Sequence, residues 1–249
     1  MNYVRTCYRL LGFVVVTLWA GSTGIVLKLF GASHERVFLV YNSWKWLITR
    51  IMNIQVQEEG IVPLAPGIIM ANHRSYIDVA LTPSAKPFVI VAKKSVKRWP
   101  LVGLGGKAMR TIWVDRDQKE SRSLTRMAMK DILKTGGSVL IFPEGTTDTG
   151  PGLLEPKQGM FHVCAEGRFP IHPLAIEYDD PNLAWVGNDL FIPHFIKHFG
   201  RKSIRVKLRF GPSITGGDGQ ELLEKTYYWL NRNLREMRLE WDGQKAHEQ

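Results

Sequence analysis

Cysteine is nearly absent from this chain. Only Cys7 and Cys164 occur in 249 residues, and neither belongs to a CxxC pair. That excludes a disulfide framework and a thiolate metal site, and it is the cysteine usage of a reducing compartment. Acid is also in short supply. The 23 Asp plus Glu face 33 Lys plus Arg, a net charge of +10, so polyanions are the expected company: a membrane surface, phosphorylated ligands or nucleic acid. No internal repeat or low-complexity tract is present, which removes the solenoid architectures. At this length, and with 45% hydrophobic residues, the expectation is one sizeable core plus an appendage.

Two local absences are more pointed. No charged residue occurs from Leu10 to Leu27, a run bracketed by Arg9 and Lys28. As a helix its eighteen residues would span about 27 Å, close to the roughly 30 Å hydrocarbon core of a bilayer. Ala20-Gly21-Ser22-Thr23-Gly24 interrupts it. A cleaved signal peptide is the competing reading, because Arg5 and Arg9 precede an apolar stretch ending in small residues. The next segment favours an anchor instead. Val37 to Met52 is a second apolar run that mixes Tyr41, Trp44 and Trp46 with Lys45 and Arg50, the composition of a helix lying at headgroup level. Residues 1–52 are therefore read as two membrane-anchoring helices, and residues 53–249 as one further domain.

The second absence is of acid between Asp78 and Asp115, where seven basic residues stand: Lys86, Lys93, Lys94, Lys97, Arg98, Lys107 and Arg110. Such a field suits anionic lipid or phosphate, and a solvated helix face would look the same.

Beyond Asn53, short strand-like runs alternate with helical stretches. The strands expected are 54–57, 68–71, 88–92, 111–114, 138–142, 171–176 and 204–210, several of them apolar at every position, as strands buried on both faces are. Leu124, Met127, Ala128 and Ile132 recur at helical spacing, and so do Leu223, Tyr227, Leu230, Leu234 and Met237. This alternation predicts an α/β fold with a mixed, largely parallel sheet covered by helices. The basic and apolar alternation from Arg201 to Arg209 reads as one face of an edge strand.

Chemistry gathers at two places. Ala71-Asn72-His73-Arg74-Ser75-Tyr76-Ile77-Asp78 follows the apolar run 67–71, which puts His73 at a strand's end. Asn72 and Ser75 are residues that open helices, and Tyr76, Ile77, Val79, Ala80 and Leu81 offer such a helix a buried side. On one regular helix His73 and Asp78 would diverge by about 140°. With His73 in the loop and Asp78 in the first helical turn, the carboxylate folds back on the imidazole. It then fixes the tautomer and leaves the other nitrogen free to take a proton. A histidine that merely caps the helix, with Asp78 favoured by the helix dipole, is the alternative.

The second place is Phe142-Pro143-Glu144-Gly145-Thr146-Thr147, directly after the apolar strand 138–141. A loop at the carboxyl end of such a strand is where α/β sheets hold ligands. Gly145 allows close backbone approach, while Thr146 and Thr147 offer hydroxyls and amides suited to an oxyanion. Glu144 fits there by orienting an arginine or by accepting from a substrate hydroxyl, and Arg116, also after a strand, is a candidate partner. His194 and His198 stand at i, i+4, but no glutamate lies between them, so the zinc-hydrolase signature fails and no metal is expected.

Taken in order, the HxxxxD stretch His73 to Asp78, Val114-Asp115-Arg116, Phe142-Pro143-Glu144-Gly145-Thr146 and Ile171-His172-Pro173-Leu174-Ala175 resemble the four sequence blocks of the glycerolipid acyltransferase family. Its best-known members are the 1-acylglycerol-3-phosphate acyltransferases of phospholipid biosynthesis. The resemblance implies transfer of a fatty acyl group from acyl-CoA or acyl carrier protein, as co-substrate and not as bound cofactor, to the hydroxyl of a lysolipid. It implies that His73 deprotonates that hydroxyl, that Asp78 orients His73, and that Arg116, Glu144, Gly145, Thr146 and Thr147 hold the acceptor. Residues 1–52, with their aromatic and aliphatic surface and their basic residues, are expected to hold the protein on the cytoplasmic face of a bacterial inner membrane. Phosphate-accepting members typically carry arginine where this chain has Thr147, and residues 185–194 resemble bacterial members acting on lyso-ornithine lipid or other lysophospholipids. A membrane-tethered nucleic-acid-binding module is the rival from another class. It lacks any reader motif or aromatic stacking strip beside the basic cluster, so no nucleic acid is expected.

Overall fold

The computed structural model describes residues 2–247. Seven strands form one sheet in the order β1-β7-β6-β2-β5-β3-β4. They are β1 (Ile54–Glu59), β2 (Ile68–Ala71), β3 (Phe88–Lys93), β4 (Ile112–Val114), β5 (Ser138–Ile141), β6 (Ile171–Tyr178) and β7 (Ile204–Phe210). Every pairing is parallel except β6 with β7. The expected strands are all present, with ends shifted by a residue or two. β2 and β5 are buried at all four positions and β6 at all eight, which is why their sequences are largely apolar, His172 and Glu177 of β6 being buried polar exceptions.

Eight α-helices accompany the sheet among the described residues: α1 (Tyr3–Leu29), α2 (His34–Met52), α3 (Asp78–Leu81), α4 (Pro100–Ala108), α5 (Lys119–Lys134), α6 (Gly159–Gly167), α7 (Phe191–His198) and α8 (Gly219–His247). On α8 the expected stripe is buried through Leu230, Leu234 and Met237. On α5 it is rotated. Thr125, Met129 and Leu133 face inward, whereas Leu124 and Met127 are exposed, and Ile132 alone of the expected stripe packs partly against the core.

The strand expected at the sheet's edge is not there. β7 lies between β1 and β6, and carboxylates from neighbouring elements absorb its cations. Arg205 pairs with Asp179 at 3.1 Å, Lys207 with Glu240, and Arg209 with Glu59 at 2.6 Å and Glu236 at 3.2 Å. A basic strand is tolerable inside a sheet when each charge leaves water already paired.

The two N-terminal helices form as expected, but they pack differently. α2 turns Val37, Phe38, Tyr41, Ile48 and Met52 into the cluster that also holds Ile69, Leu140 and Leu174 of the sheet. α1 faces the protein with its small and polar residues, Thr6, Arg9, Thr17, Gly21 and Gly24, and leaves Val4, Tyr8, Leu11, Val15, Leu18 and Trp19 outside. Arg9 is held there by the carbonyls of Phe199 and Arg201, both at 2.8 Å. The glycines that interrupt the apolar run are the places where α4 approaches: a Cβ at Gly21 would come within 2.6 Å of Leu104, and one at Gly24 within 2.8 Å of Ala108. Among the described helices α1 alone is long and apolar enough to cross a membrane.

Candidate active site

The parallel strands end together, and the loops after β2, β4 and β5 meet at that edge. Where β2 stops, Asn72 prolongs it with its side chain: Nδ2 donates to the Ile176 carbonyl at 2.9 Å and Oδ1 accepts from the Ile176 amide at 2.7 Å. Asn72 and Ser75 do not open the helix, since Ile77 is the residue that precedes α3. His73 lies in the loop and Asp78 is the first residue of α3, the arrangement that brings the two side chains together.

His73 Nδ1 and Asp78 Oδ2 are 2.8 Å apart. Asp78 is fully buried, and 22% of the His73 side chain is exposed. The same Oδ2 accepts from the Arg74 amide at 2.6 Å and the Ser75 amide at 2.8 Å, and Oδ1 accepts from the Tyr178 hydroxyl at 2.6 Å. A buried carboxylate is tolerable when donors of this kind surround it. The imidazole stacks on Phe142, centroids 4.1 Å apart and planes 19° off parallel. With Nδ1 engaged, Nε2 is the nitrogen left to act, and the helix-cap alternative no longer describes His73.

Glu144 is placed differently from its expected position among headgroup ligands. It is 4% exposed, and its carboxylate accepts from the His73 amide at 2.7 Å and the Leu154 amide at 3.2 Å. It braces the loop from beneath. Burial pushes its carboxyl up to about 7, against the two amides and the Arg74 charge that favour ionisation. Arg116 does reach the loop, donating to the Gly145 carbonyl. Gly145 has φ +79° and a Cβ there would stand 3.1 Å from the guanidinium, so glycine answers both demands. Thr146 is exposed. Thr147 donates its hydroxyl to the Trp185 carbonyl, and the Trp185 amide donates to the Arg74 carbonyl at 2.9 Å.

Sequence reasoning missed Arg74, Glu177, Arg238 and Tyr178. Arg74 is 1% exposed and bonds Glu177 through Nε at 3.2 Å and Nη2 at 3.0 Å. Arg238 of α8 donates to the other oxygen of Glu177, so strand, terminal helix and the loop that carries His73 meet on one buried carboxylate. An arginine inside the HxxxxD stretch was the available signal. Nothing near Tyr178 in sequence announced it.

An apolar cavity of about 370 Å³ adjoins the loop, enclosed by α1, α2, α4 and the ends of β3 and β4. Tyr76 and Val79, on either side of Asp78, belong to its wall together with Phe13, Tyr41, Trp99 and Phe191. His194 stands behind Tyr76, its Nδ1 3.2 Å from the tyrosine hydroxyl and its Nε2 3.1 Å from the Ala184 carbonyl. Both ring nitrogens are thus engaged in hydrogen bonds within the protein.

The family model described as Acyltransferase matches residues 53–177, which takes in His73, Asp78, Arg116 and the Glu144 loop. A lyso-ornithine lipid O-acyltransferase of Rhizobium meliloti is 30% identical over 193 residues, covering 69% of this chain and 65% of that protein. The chain therefore spans somewhat less than two thirds of that relative's length. A 1-acyl-sn-glycerol-3-phosphate acyltransferase of Neisseria gonorrhoeae is 28% identical over 113 residues, 45% of this chain and 44% of the relative. In fold, the 1-acyl-sn-glycerophosphate acyltransferase PlsC of Thermotoga maritima superposes with TM-score 0.71 at 18% identity, covering 95% of this chain and 96% of that one. With half of its length matched by the family model, and the matched half carrying the histidine and aspartate just described, this chain belongs to the acyltransferase family.

Proposed function

We propose that the protein transfers a fatty acyl group from an acyl thioester, acyl-CoA or acyl carrier protein, to the free hydroxyl of a lysolipid. One observation carries the reading: a buried aspartate fixes Nδ1 of a part-exposed histidine beside a large apolar cavity. His73 Nε2 takes the proton of the acceptor hydroxyl as its oxygen attacks the thioester carbonyl. The C–S bond then breaks, and the proton passes to the departing thiolate. Asp78 keeps the imidazole in the required tautomer and supports the imidazolium that forms. General-base action of this kind contributes about 10²- to 10⁴-fold in rate. The cavity walled by Tyr76 and Val79 suits the acyl chain, and Arg116 suits the acceptor's anionic headgroup.

The first acceptor to expect is 1-acylglycerol-3-phosphate, giving phosphatidic acid in bacterial phospholipid synthesis. A second reading, acylation of lyso-ornithine lipid, is favoured by the activity named for the Rhizobium relative and by Thr147, whose hydroxyl is occupied with Trp185 and brings no charge. The outward apolar face of α1 supports attachment to a membrane, which we place on the cytoplasmic side of the inner membrane. Assay of purified full-length protein with paired CoA and carrier-protein donors against a panel of lysolipids tests the reading. A folded His73→Ala protein should show no transfer; turnover equal to the wild type would overturn the mechanism.

A further inference from the structure

α2 does more than cover the sheet. Tyr41 Oη donates to the Val79 carbonyl at 2.6 Å, and Lys45 Nζ donates to the carbonyl of Thr82. Thr82 closes α3, its amide and hydroxyl both donating to the Asp78 carbonyl at 3.1 and 3.0 Å. Two side chains of α2 therefore hold the far end of the four-residue helix that starts with Asp78.

Beside Lys45 a cleft of about 570 Å³ opens between α2, β1 and the turn after α3. Its lining is mixed: Asn42, Lys45, Thr49, Arg50 and Gln55 face it alongside Trp46, Ile54, Val56 and Leu81, with Glu58 as the single acid. Among the described residues neither Lys45 nor Arg50 has a carboxylate within ion-pair distance. An ammonium has three donors, and Lys45 spends one on Thr82 while lying 5.7 Å from the Tyr41 ring. Burial pushes this ammonium down to about 8, with Glu58 opposing. The charge is thus incompletely compensated, and an anion beside it would restore what water no longer supplies.

Leu39, Trp46 and Arg50 recur at i, i+7 and i+11, one face of α2. Leu39 and Trp46 are 66% and 58% exposed, and the Arg50 guanidinium lies 5.6 Å from the Trp46 ring centroid. Exposed leucine and tryptophan next to an arginine is the pattern of a helix at the headgroup level, which favours a lipid over a free phosphate as the source of the anion.

We propose that the cleft binds the phosphate of an anionic phospholipid headgroup through Lys45 and Arg50, with Asn42, Thr49 and Gln55 as hydrogen-bonding partners, and that its occupancy steadies α3 and so promotes the His73–Asp78 pair. This site is separate from the acceptor's, and only its effect on rate rests on the acyl transfer proposed above.

The test uses the full chain in bilayer discs of phosphatidylcholine, with or without phosphatidylglycerol. Two readouts are taken: the ratio of acyl-transfer rates with and without the anionic lipid, and protection of Lys45 from an amine-reactive label, read by peptide mass. The wild-type ratio should be about 5 or more, as for a modest coupling between sites, and phosphatidylglycerol should protect Lys45. Lys45→Gln and Arg50→Gln should bring the ratio to about 1, while Lys45→Arg and the control Lys93→Gln keep it, and Glu58→Gln raises it. Equal loss in Lys93→Gln would mean diffuse surface charge and would overturn the site. So would protection by inorganic phosphate alone to the same extent, or no protection by either. A protein that transfers no acyl group to any lysolipid, yet shows the lipid-dependent protection, would sink the functional reading and leave the site standing.

Discussion

The Tyr178 hydroxyl donates to Asp78 Oδ1 at 2.6 Å, on the oxygen opposite the one that meets His73. Tyr178 is 2% exposed, and burial, reinforced by the Asp78 charge, raises its hydroxyl well above the ordinary tyrosine range, so it donates and does not accept. It fixes the rotation of the carboxylate. Hydrogen bonds to charged groups contribute about 1.5–3 kcal/mol, so Tyr178→Phe should lower kcat by about 10- to 100-fold with the acceptor KM unchanged. Steady-state kinetics decide it. A change confined to KM would make Tyr178 a packing residue only.

Glu144→Gln is a severe change despite its shape. Both carboxylate oxygens accept from backbone amides, so one of those N–H groups would face the new NH₂. An unmade buried bond costs about 1–3 kcal/mol, and the His73 loop should loosen, lowering kcat by about tenfold or more. The raised carboxyl also sets a pH dependence. Between its ordinary value and about 7 the folded state holds the proton that the unfolded state has released. This group's contribution to stability is therefore complete below the ordinary range and lost as pH rises through about 7. Denaturant unfolding of wild type and Glu144→Gln from pH 4 to 8 should show a shallower slope in the variant.

Arg74→Ala would leave Glu177, 1% exposed, with Arg238 as its remaining partner. Removing one member of a buried ion pair costs about 3–5 kcal/mol, and a urea unfolding midpoint shifted to that extent is expected. A surface-like change of a few tenths would show that water reaches Glu177.

Thr147→Arg should raise the ratio of specificity constants for 1-acylglycerol-3-phosphate over lyso-ornithine lipid, since a guanidinium binds phosphate as a fork and threonine does not. Thr147→Ser, which keeps the hydroxyl that reaches Trp185, should leave the ratio alone. A fall in the ratio with arginine would show that Arg116 or a nearby lysine already serves the phosphate.

If α1 lies in lipid through its outward residues, high salt should leave the full chain in the membrane fraction and detergent should release it. Apolar burial does not weaken with ionic strength, whereas charge attraction does. Release by salt alone would place the attachment on the basic residues instead.

The central strands were legible because burial on both faces writes itself as short apolar runs, as in Ile68–Ala71 and residues 139–141. The pairing of His73 with Asp78 was legible too, since a five-residue separation closes only when a loop residue meets the first turn of a helix. The apolar length of α1 is a local property that sequence records directly. Strand order is not local. That β7 sits inside the sheet depends on carboxylates on β1 and α8, and on Asp179 just after β6, meeting Arg205, Lys207 and Arg209 across long stretches of chain. Side-chain direction is no better recorded: Glu144 reads as a ligand of the loop and turns inward to brace it, because the His73 and Leu154 amides lie beneath. Tyr178 ends β6 and becomes a partner of Asp78 only because β6 lies next to β2. Residue type and local spacing determined which groups were available for chemistry, and the packing of distant segments decided which way each one points.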